Sequence, residues 1–272
     1  MTPKRIAITR SPGGLPGLDA HVGVWMAMED AGIVPAAVCG CSAGAMVSAL
    51  QATGMRAAAA ADILRGLATE DVIRKRWAWK ARAFWIDHFC DPSPIERLLE
   101  QLLPATFEEL SMPLVVSATE MRARDEATAL FREGPHLRQA VRASMSIAGV
   151  WPYAEIDGRR FTDGGTSDAI VAPPSMSTGE YDEVWVVNLY DRRSYAERDK
   201  NMISRLLWNV SRLMEFERIS TREQWEAWGR NLQTAVRWLD IDCAGTSCLE
   251  FDHSLIGRAY GQTIAQLERT RA

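Results

Sequence analysis

Ala36-Ala37-Val38-Cys39-Gly40-Cys41-Ser42-Ala43-Gly44 is the stretch on which the fold of this chain turns. Small apolar residues at 36–39 fit a short buried strand, and Gly40 to Gly44 then turns directly into a helix running toward Gly54. In that setting Gly-x-Ser-x-Gly is a nucleophile elbow, a tight strand-to-helix turn that lifts a serine hydroxyl clear of the backbone. Gly40 and Gly44 flank the serine because small residues let the chain turn sharply. The bare pattern also arises by chance in a chain with 19 glycines, and the strand before it and helix after it supply the missing context. The amide of Ala43, at the start of that helix, is placed to face a negative charge developing near Ser42.

Working outward toward the N-terminus, Arg5 to Thr9 reads as a strand, Ser11-Pro12-Gly13-Gly14-Leu15-Pro16-Gly17 as a Gly/Pro loop, and Leu18 to Ala31 as a helix that Gly32 can cap. Strand, helix, strand, helix is the pattern of a parallel sheet covered on its faces. Gly13 and Gly14 follow the neighbouring strand, so their amides can reach the space around Ser42 from the other side.

Toward the C-terminus, Ala57 to Leu67 is an Ala-rich helix, and Pro94 to Leu102 an amphipathic one with Ser93 placed to cap it. Leu114 to Thr119 reads as a buried strand, Leu137 to Ile147 as a helix, and Ile156 to Thr162 as a hairpin turning at Asp157-Gly158. Asp163-Gly164-Gly165 follows immediately. Glu183 to Tyr190 is an apolar strand, Asn201 to Leu239 is helical in pattern, and a last helix spans Ser254 to Arg269. No repeat, linker or shift in composition marks a boundary. Residues 1–272 read as one domain, with a motif-bearing core over about 5–190 and a helical C-terminal part over about 199–272.

Composition removes several classes of function. Hydrophobic residues at 47% and charged residues at 24% exclude disordered and fibrous states. A net charge of −4 offers no global attraction to nucleic acid. The N-terminus runs into a strand rather than a long apolar segment, and no stretch approaches the roughly 20 apolar residues of a membrane span, so a cytoplasmic protein is expected. Cys39, Cys41, Cys90, Cys243 and Cys248 lack metal-ligand spacing and read as thiols. No metal or cofactor is called for. Arg74-Lys75-Arg76-Trp77-Ala78-Trp79-Lys80, with Arg82, Phe84 and Trp85, mixes cations with large aromatics, which suits either a lipid headgroup boundary or packing on the core.

A serine hydroxyl needs a base, usually a histidine held by an acid. The chain offers His21, His88, His136 and His253, of which His253, in Asp252-His253-Ser254, is the best candidate for a conventional triad. Only 41 residues precede Ser42, room for one strand and one helix before its own strand, which argues against the common triad fold. A dinucleotide site in the first loop would need Gly-x-Gly-x-x-Gly, and Pro12 stands at its first glycine.

Four motifs in order carry a resemblance: Gly13-Gly14-Leu15-Pro16-Gly17, His21-Val22-Gly23-Val24, Gly40-Cys41-Ser42-Ala43-Gly44 and Asp163-Gly164-Gly165. Ala143-Ser144-Met145-Ser146-Ile147-Ala148-Gly149-Val150-Trp151-Pro152 and Glu155-Ile156-Asp157-Gly158-Arg159 fill the interval in the same style. Together they resemble the patatin-like phospholipases, over roughly residues 5 to 190. The resemblance implies a three-layer α/β/α sandwich with a mostly parallel central sheet, and hydrolysis of a lipid or other acyl ester without histidine, metal or cofactor.

Carried over, Ser42 is the nucleophile and Asp163 its base, while Gly13, Gly14 and Ala43 supply oxyanion amides. Gly40, Gly44, Gly164 and Gly165 allow close backbone approach, and His21 becomes a packing residue. An aspartate near its ordinary pKa of about 3.9 is a poor base, so the pair depends on desolvation or tight positioning. Pro12 and Pro16 stand where the family pattern has a glycine and a basic residue, and one extra residue separates Gly17 from His21. These departures bear on the oxyanion geometry and leave open a degenerate relative that binds lipid without cleaving it.

Overall fold

In the computed structural model, which describes residues 4–75, 88–122, 126–168, 170–172, 180–190, 222–244 and 248–269, strands and helices alternate from the start. Strand β1 (Ile6–Arg10) leads to helix α1 (Gly14–Asp30), and strand β2 (Ala37–Cys41) to helix α2 (Ala43–Ala52). Helix α1 begins at Gly14 rather than at Leu18, so most of the Gly/Pro stretch is its first turn. Pro16 is tolerated there because first-turn amides have no intrahelical acceptor to lose. At the other end, Gly32 adopts a φ of 72°, and the amides of Gly32 and Ile33 close on the carbonyls of Glu29 and Met28.

Helix α3 (Ala57–Arg65) is followed by a short ribbon of β3 (Arg74–Lys75) with β4 (Cys90–Asp91), and then by α4 (Ser93–Leu102). Ser93 is the first residue of α4 rather than its cap. The Asp91 carboxylate accepts from the Ser93 amide at 2.9 Å and its hydroxyl at 2.7 Å. Next come β5 (Leu114–Met121), β6 (Glu126–Phe131), α5 (Leu137–Ser144), β7 (Ala154–Ile156) and β8 (Arg159–Asp163). The expected hairpin is β7–β8, with Asp157 and Gly158 at φ of 51° and 73°, as a two-residue turn requires. The chain ends through β9 (Glu183–Tyr190), α6 over 222–232, β10 (Ala235–Asp242) and α7 (Ser254–Arg269).

One sheet organises these elements. Strands β10, β9, β1, β2 and β5 lie side by side in parallel, and β6, β7 and β8 extend the sheet in antiparallel pairing. The period-two alternation of β9 divides its neighbours: Trp185, Val187 and Leu189 join the main core with α1, α2 and α7, while Val184 and Val186 face Trp225 of α6. Helices on both faces of a mostly parallel sheet make the expected three-layer α/β/α sandwich.

Two strands of the main sheet lie outside the sequence reading. The part of the 201–239 pattern that falls in 235–239 is β10, not helix; Leu239 joins the main core while Val236 and Trp238 pack on the opposite side. An apolar run of that length fits either period, and the open edge of β9 decides it. Strand β6, the other, hydrogen-bonds along β5. Residues 201–221 lie outside the described part.

Candidate active site

The serine end is built from local strain. Ser42 stands at φ 53° and ψ −121° between the last residue of β2 and the first of α2, a conformation costing a non-glycine residue about 1–3 kcal/mol. A Cβ on Gly40 would lie 2.3 Å from the Gly44 carbonyl oxygen, and one on Gly44 would lie 2.5 Å from that of Arg10. Glycine is therefore required at both positions.

Arg10, fully buried, donates to Ser48 Oγ at 3.0 Å and to Gln51 Oε1 at 2.6 Å, both on α2. Burial pushes its pKa down to about 9, and its hydrogen bonds tie β1 to the helix that carries the elbow. The amide of Ser42 donates to Ser144 Oγ at 2.8 Å. Ala43 and Gly44 open α2, so their amides have no acceptor within the helix.

Sheet register brings the aspartate to the same place. Along β5, residues 116–121 pair with β6 on one edge. The opposite edge is shared, β2 pairing up to Cys41 against Ser117 and β8 pairing from Asp163 against Ala118. The C-terminal ends of β2 and β8 thus meet head to head at consecutive residues of β5, which joins Ser42 to Asp163 across a long separation in sequence. Ser146, just past the end of α5, holds the aspartate's strand: its carbonyl accepts from the Asp163 amide at 3.0 Å and from Thr162 Oγ1 at 2.7 Å. A Cβ on Gly164 would stand 2.6 Å from the Ser117 carbonyl oxygen and 3.0 Å from Cys41 Sγ, so this junction also needs glycine.

The Asp163 carboxyl is 7% exposed, and burial raises its pKa from 3.8 to about 6, against the lowering effects of hydrogen bonds from the Ser42 hydroxyl and the Gly165 amide. The Gly165 amide reaches Oδ1 at 2.9 Å, and Cys41 Sγ lies 4.0 Å from the same oxygen. Oδ2 is buried with no partner of ordinary hydrogen-bond geometry. The Ser42 hydroxyl contact is accordingly long or poorly aligned.

The glycine loop lies beside the elbow: a Cβ on Gly17 would be 3.2 Å from that of Ala43. Gly14 adopts a φ of 64°, with its missing Cβ directed onto the Cys248 carbonyl oxygen at 2.2 Å. The Gly17 amide closes on the Gly13 carbonyl at 3.1 Å and Leu15 donates to Cys248 at 2.9 Å.

His21, His136 and His253 have partners of their own. His21 Nε2 contacts the Ser11 carbonyl at 2.7 Å inside the core, the packing position expected of it. His136 lies 3.3 Å from Asp157, and His253 Nδ1 lies 3.0 Å from Asp19 on α1. The triad candidate is therefore paired with Asp19, while Asp163 stands at the serine.

Sequence reading assigned no role to Ser144, Ser146 or Asp19. The first two stand in the segment 143–152, where nothing distinguishes a serine that holds the elbow from a solvent-facing one. Beyond Arg74 and Lys75, the basic-aromatic segment through Trp85 lies outside the described residues, save that Lys75 is described in its backbone only. Among the described residues there is no cluster of side chains suited to a metal ion, and no helix is long and apolar enough to cross a membrane.

A serine on a strained strand-to-helix turn, beside a buried carboxyl at the junction of two sheet strands, places the molecule among α/β proteins with a serine elbow at the end of a parallel strand. The chain belongs to the patatin-like phospholipase family, whose model matches residues 13–176. An uncharacterized NTE family protein of Mycobacterium bovis is 30% identical over 181 residues, and its Mycobacterium tuberculosis counterpart matches equally. Each match covers 62% of this chain but 45% of the relative, so the chain spans less than half the length of these proteins.

Among solved structures, VipD from Legionella pneumophila aligns over 98% of this chain and 67% of its own, with a TM-score of 0.60 and 13% identity. ExoU of Pseudomonas aeruginosa, in complex with SpcU, aligns over 98% of this chain and 53% of its own, with a TM-score of 0.51 and 15% identity. At such identities the likeness is one of fold.

Proposed function

We propose that this chain is a lipid acyl hydrolase that cleaves carboxylic esters through an acyl-Ser42 intermediate, with Asp163 as the only general base. The observation that carries the reading is the head-to-head meeting of β2 and β8 on β5, which sets the Ser42 hydroxyl against a carboxyl whose pKa burial raises to about 6. A carboxylate tuned to that value is still ionised at neutral pH, yet basic enough to share a proton with an attacking hydroxyl.

Ser42 Oγ attacks the ester carbonyl carbon as its proton passes to Asp163. The amides of Gly13, Gly14 and Ala43 receive the oxyanion. Collapse of the tetrahedral species breaks the bond to the alcohol, which leaves with the proton from Asp163. A water molecule then attacks the acyl-serine, gives a proton to Asp163, and the acid departs as Ser42 regains its hydrogen. The Ser42 amide is already committed to Ser144, so the donor from the elbow is that of Ala43.

Family membership favours a lipid acyl chain as substrate. Hydrolysis of a short nitrophenyl ester, together with labelling by a fluorophosphonate, tests the reading. Native protein should turn over and label, whereas Ser42→Ala and Asp163→Asn should do neither at a comparable rate. Full turnover by either folded variant would refute the assignment.

A further inference from the structure

We propose that Asp19 and His253 are positioning residues, a clamp by which the segment 248–253 holds the glycine loop in the shape that receives the oxyanion. The inference rests on the acyl-hydrolase reading and extends it beyond residues 13–176, the part matched by the family.

The segment touches the loop at one end and is fastened at the other. Cys248 provides the carbonyl that accepts from Leu15, and the same oxygen occupies the place where a side chain on Gly14 would begin. At the far end, the two carboxyl oxygens of Asp19 are both engaged: Oδ2 accepts from the Asp252 amide at 3.1 Å and Oδ1 meets His253 Nδ1 at 3.0 Å. Between them, the Phe251 amide donates to Thr69 Oγ1 at 3.3 Å, and the Phe251 ring stacks on His253 with centroids 5.2 Å apart. Asp252 then closes the start of α7, its Oδ1 accepting from the Ser254 amide and hydroxyl.

Asp19 is fully buried on α1, and a buried carboxyl is tolerated only when its oxygens are satisfied. Here the satisfying groups come entirely from this segment among the contacts of the described residues. The glycine loop has reason to need outside support. Pro12 contributes no amide, one extra residue precedes His21 relative to the family pattern, and Gly14 is held at positive φ against a carbonyl from the far end of the chain.

His253 is one-third exposed, so His253→Ala is expected to fold, and His253→Asn restores a donor where Nδ1 stands. Steady-state hydrolysis of a nitrophenyl ester and amide hydrogen exchange of the peptide over 13–18 are measured on the native protein and both variants. The expected result for His253→Ala is faster exchange in that peptide, kcat lower by roughly tenfold to a hundredfold, and KM within about twofold, because a displaced oxyanion donor weakens only the transition state. His253→Asn should recover most of both. Unchanged exchange and kcat, with only a lower melting temperature, would overturn the proposal. So would faster exchange with unchanged kcat, since the ordered loop would then play no part in the reaction. Complete inactivity not rescued by asparagine would make His253 the base instead. Loss of the dyad reading is recognised separately, by Ser42→Ala or Asp163→Asn that still turns over while the exchange difference in His253→Ala persists.

Discussion

Ser42 and Asp163 meet at one point, but they are held there by different means. Ser42 departs from ordinary backbone geometry, at φ 53°, and the residues that enforce this lie within a few positions of it or directly behind it in Arg10. Asp163 ends β8 at φ −50° and ψ 132°, with no left-handed strain; what is unusual there is electrostatic, a carboxyl enclosed by β5, the end of β2 and the turn into Gly165. Ser42 is placed by steric necessity within one turn. Asp163 is placed by the register of three strands, and its raised pKa comes from the water it has lost.

Deleting either partner should have the largest effect. Ser42→Ala and Asp163→Asn are expected to lower ester turnover by about a thousandfold or more with the fold retained, as read by circular dichroism beside the rate assay. Replacing His21, His88, His136 or His253 singly should leave measurable turnover, and abolition by one of them in a folded protein would mean that Asp163 is not the base.

The electrostatic end can be separated from the steric one through stability. The folded-state pKa of Asp163 is raised from 3.8 to about 6, so the folded state binds this proton more tightly than the unfolded chain. That contribution is fully present below the unfolded value and is lost as pH rises through 6. At pH 8, Asp163→Asn should therefore gain about 3 kcal/mol in urea unfolding, and the gain should shrink as pH is lowered from 6 toward 4. In the active protein, kcat/KM should fall on the acid side with an apparent pKa near 6. A stability difference independent of pH would mean that desolvation of the carboxyl is not what distinguishes this end.

The steric end yields a comparable but opposite effect. Gly44→Ala forces a Cβ to within 2.5 Å of the Arg10 carbonyl oxygen and should cost about 2–3 kcal/mol at every pH, with turnover lost as the elbow opens. The smallest effect is expected at Ser144→Ala. Removing the acceptor of the Ser42 amide should cost about 1–2 kcal/mol and slow fluorophosphonate labelling by about tenfold, without moving the acid limb that belongs to Asp163.

The same division governs what could be read in advance. Gly40, Ser42 and Gly44 were legible because a sharp turn admits few residues and leaves a compact signature. Asp157-Gly158 was legible for a like reason, since both positions need positive φ. The start of α1 was misplaced because glycine and proline are loop formers in isolation, yet first-turn positions tolerate both once Cys248 accepts from Leu15. Strand β10 was misread because Trp, Val and Leu spaced along 235–239 satisfy either period until a partner edge is present. Asp19 gave no signal, being one carboxylate on an apolar helix whose partners lie at the other end of the chain.

By itself the order of residues determined the alternation of strands and helices, the serine's turn, and an aspartate followed by two glycines, because each depends on the conformations open to a few neighbouring residues. Only the tertiary structure decided that β2 and β8 end against consecutive residues of β5, that burial raises the pKa of Asp163 to about 6, and that the Cys248 carbonyl reaches Leu15 in the glycine loop. Those outcomes are set by strand register and burial, which belong to contacts between distant parts of the chain.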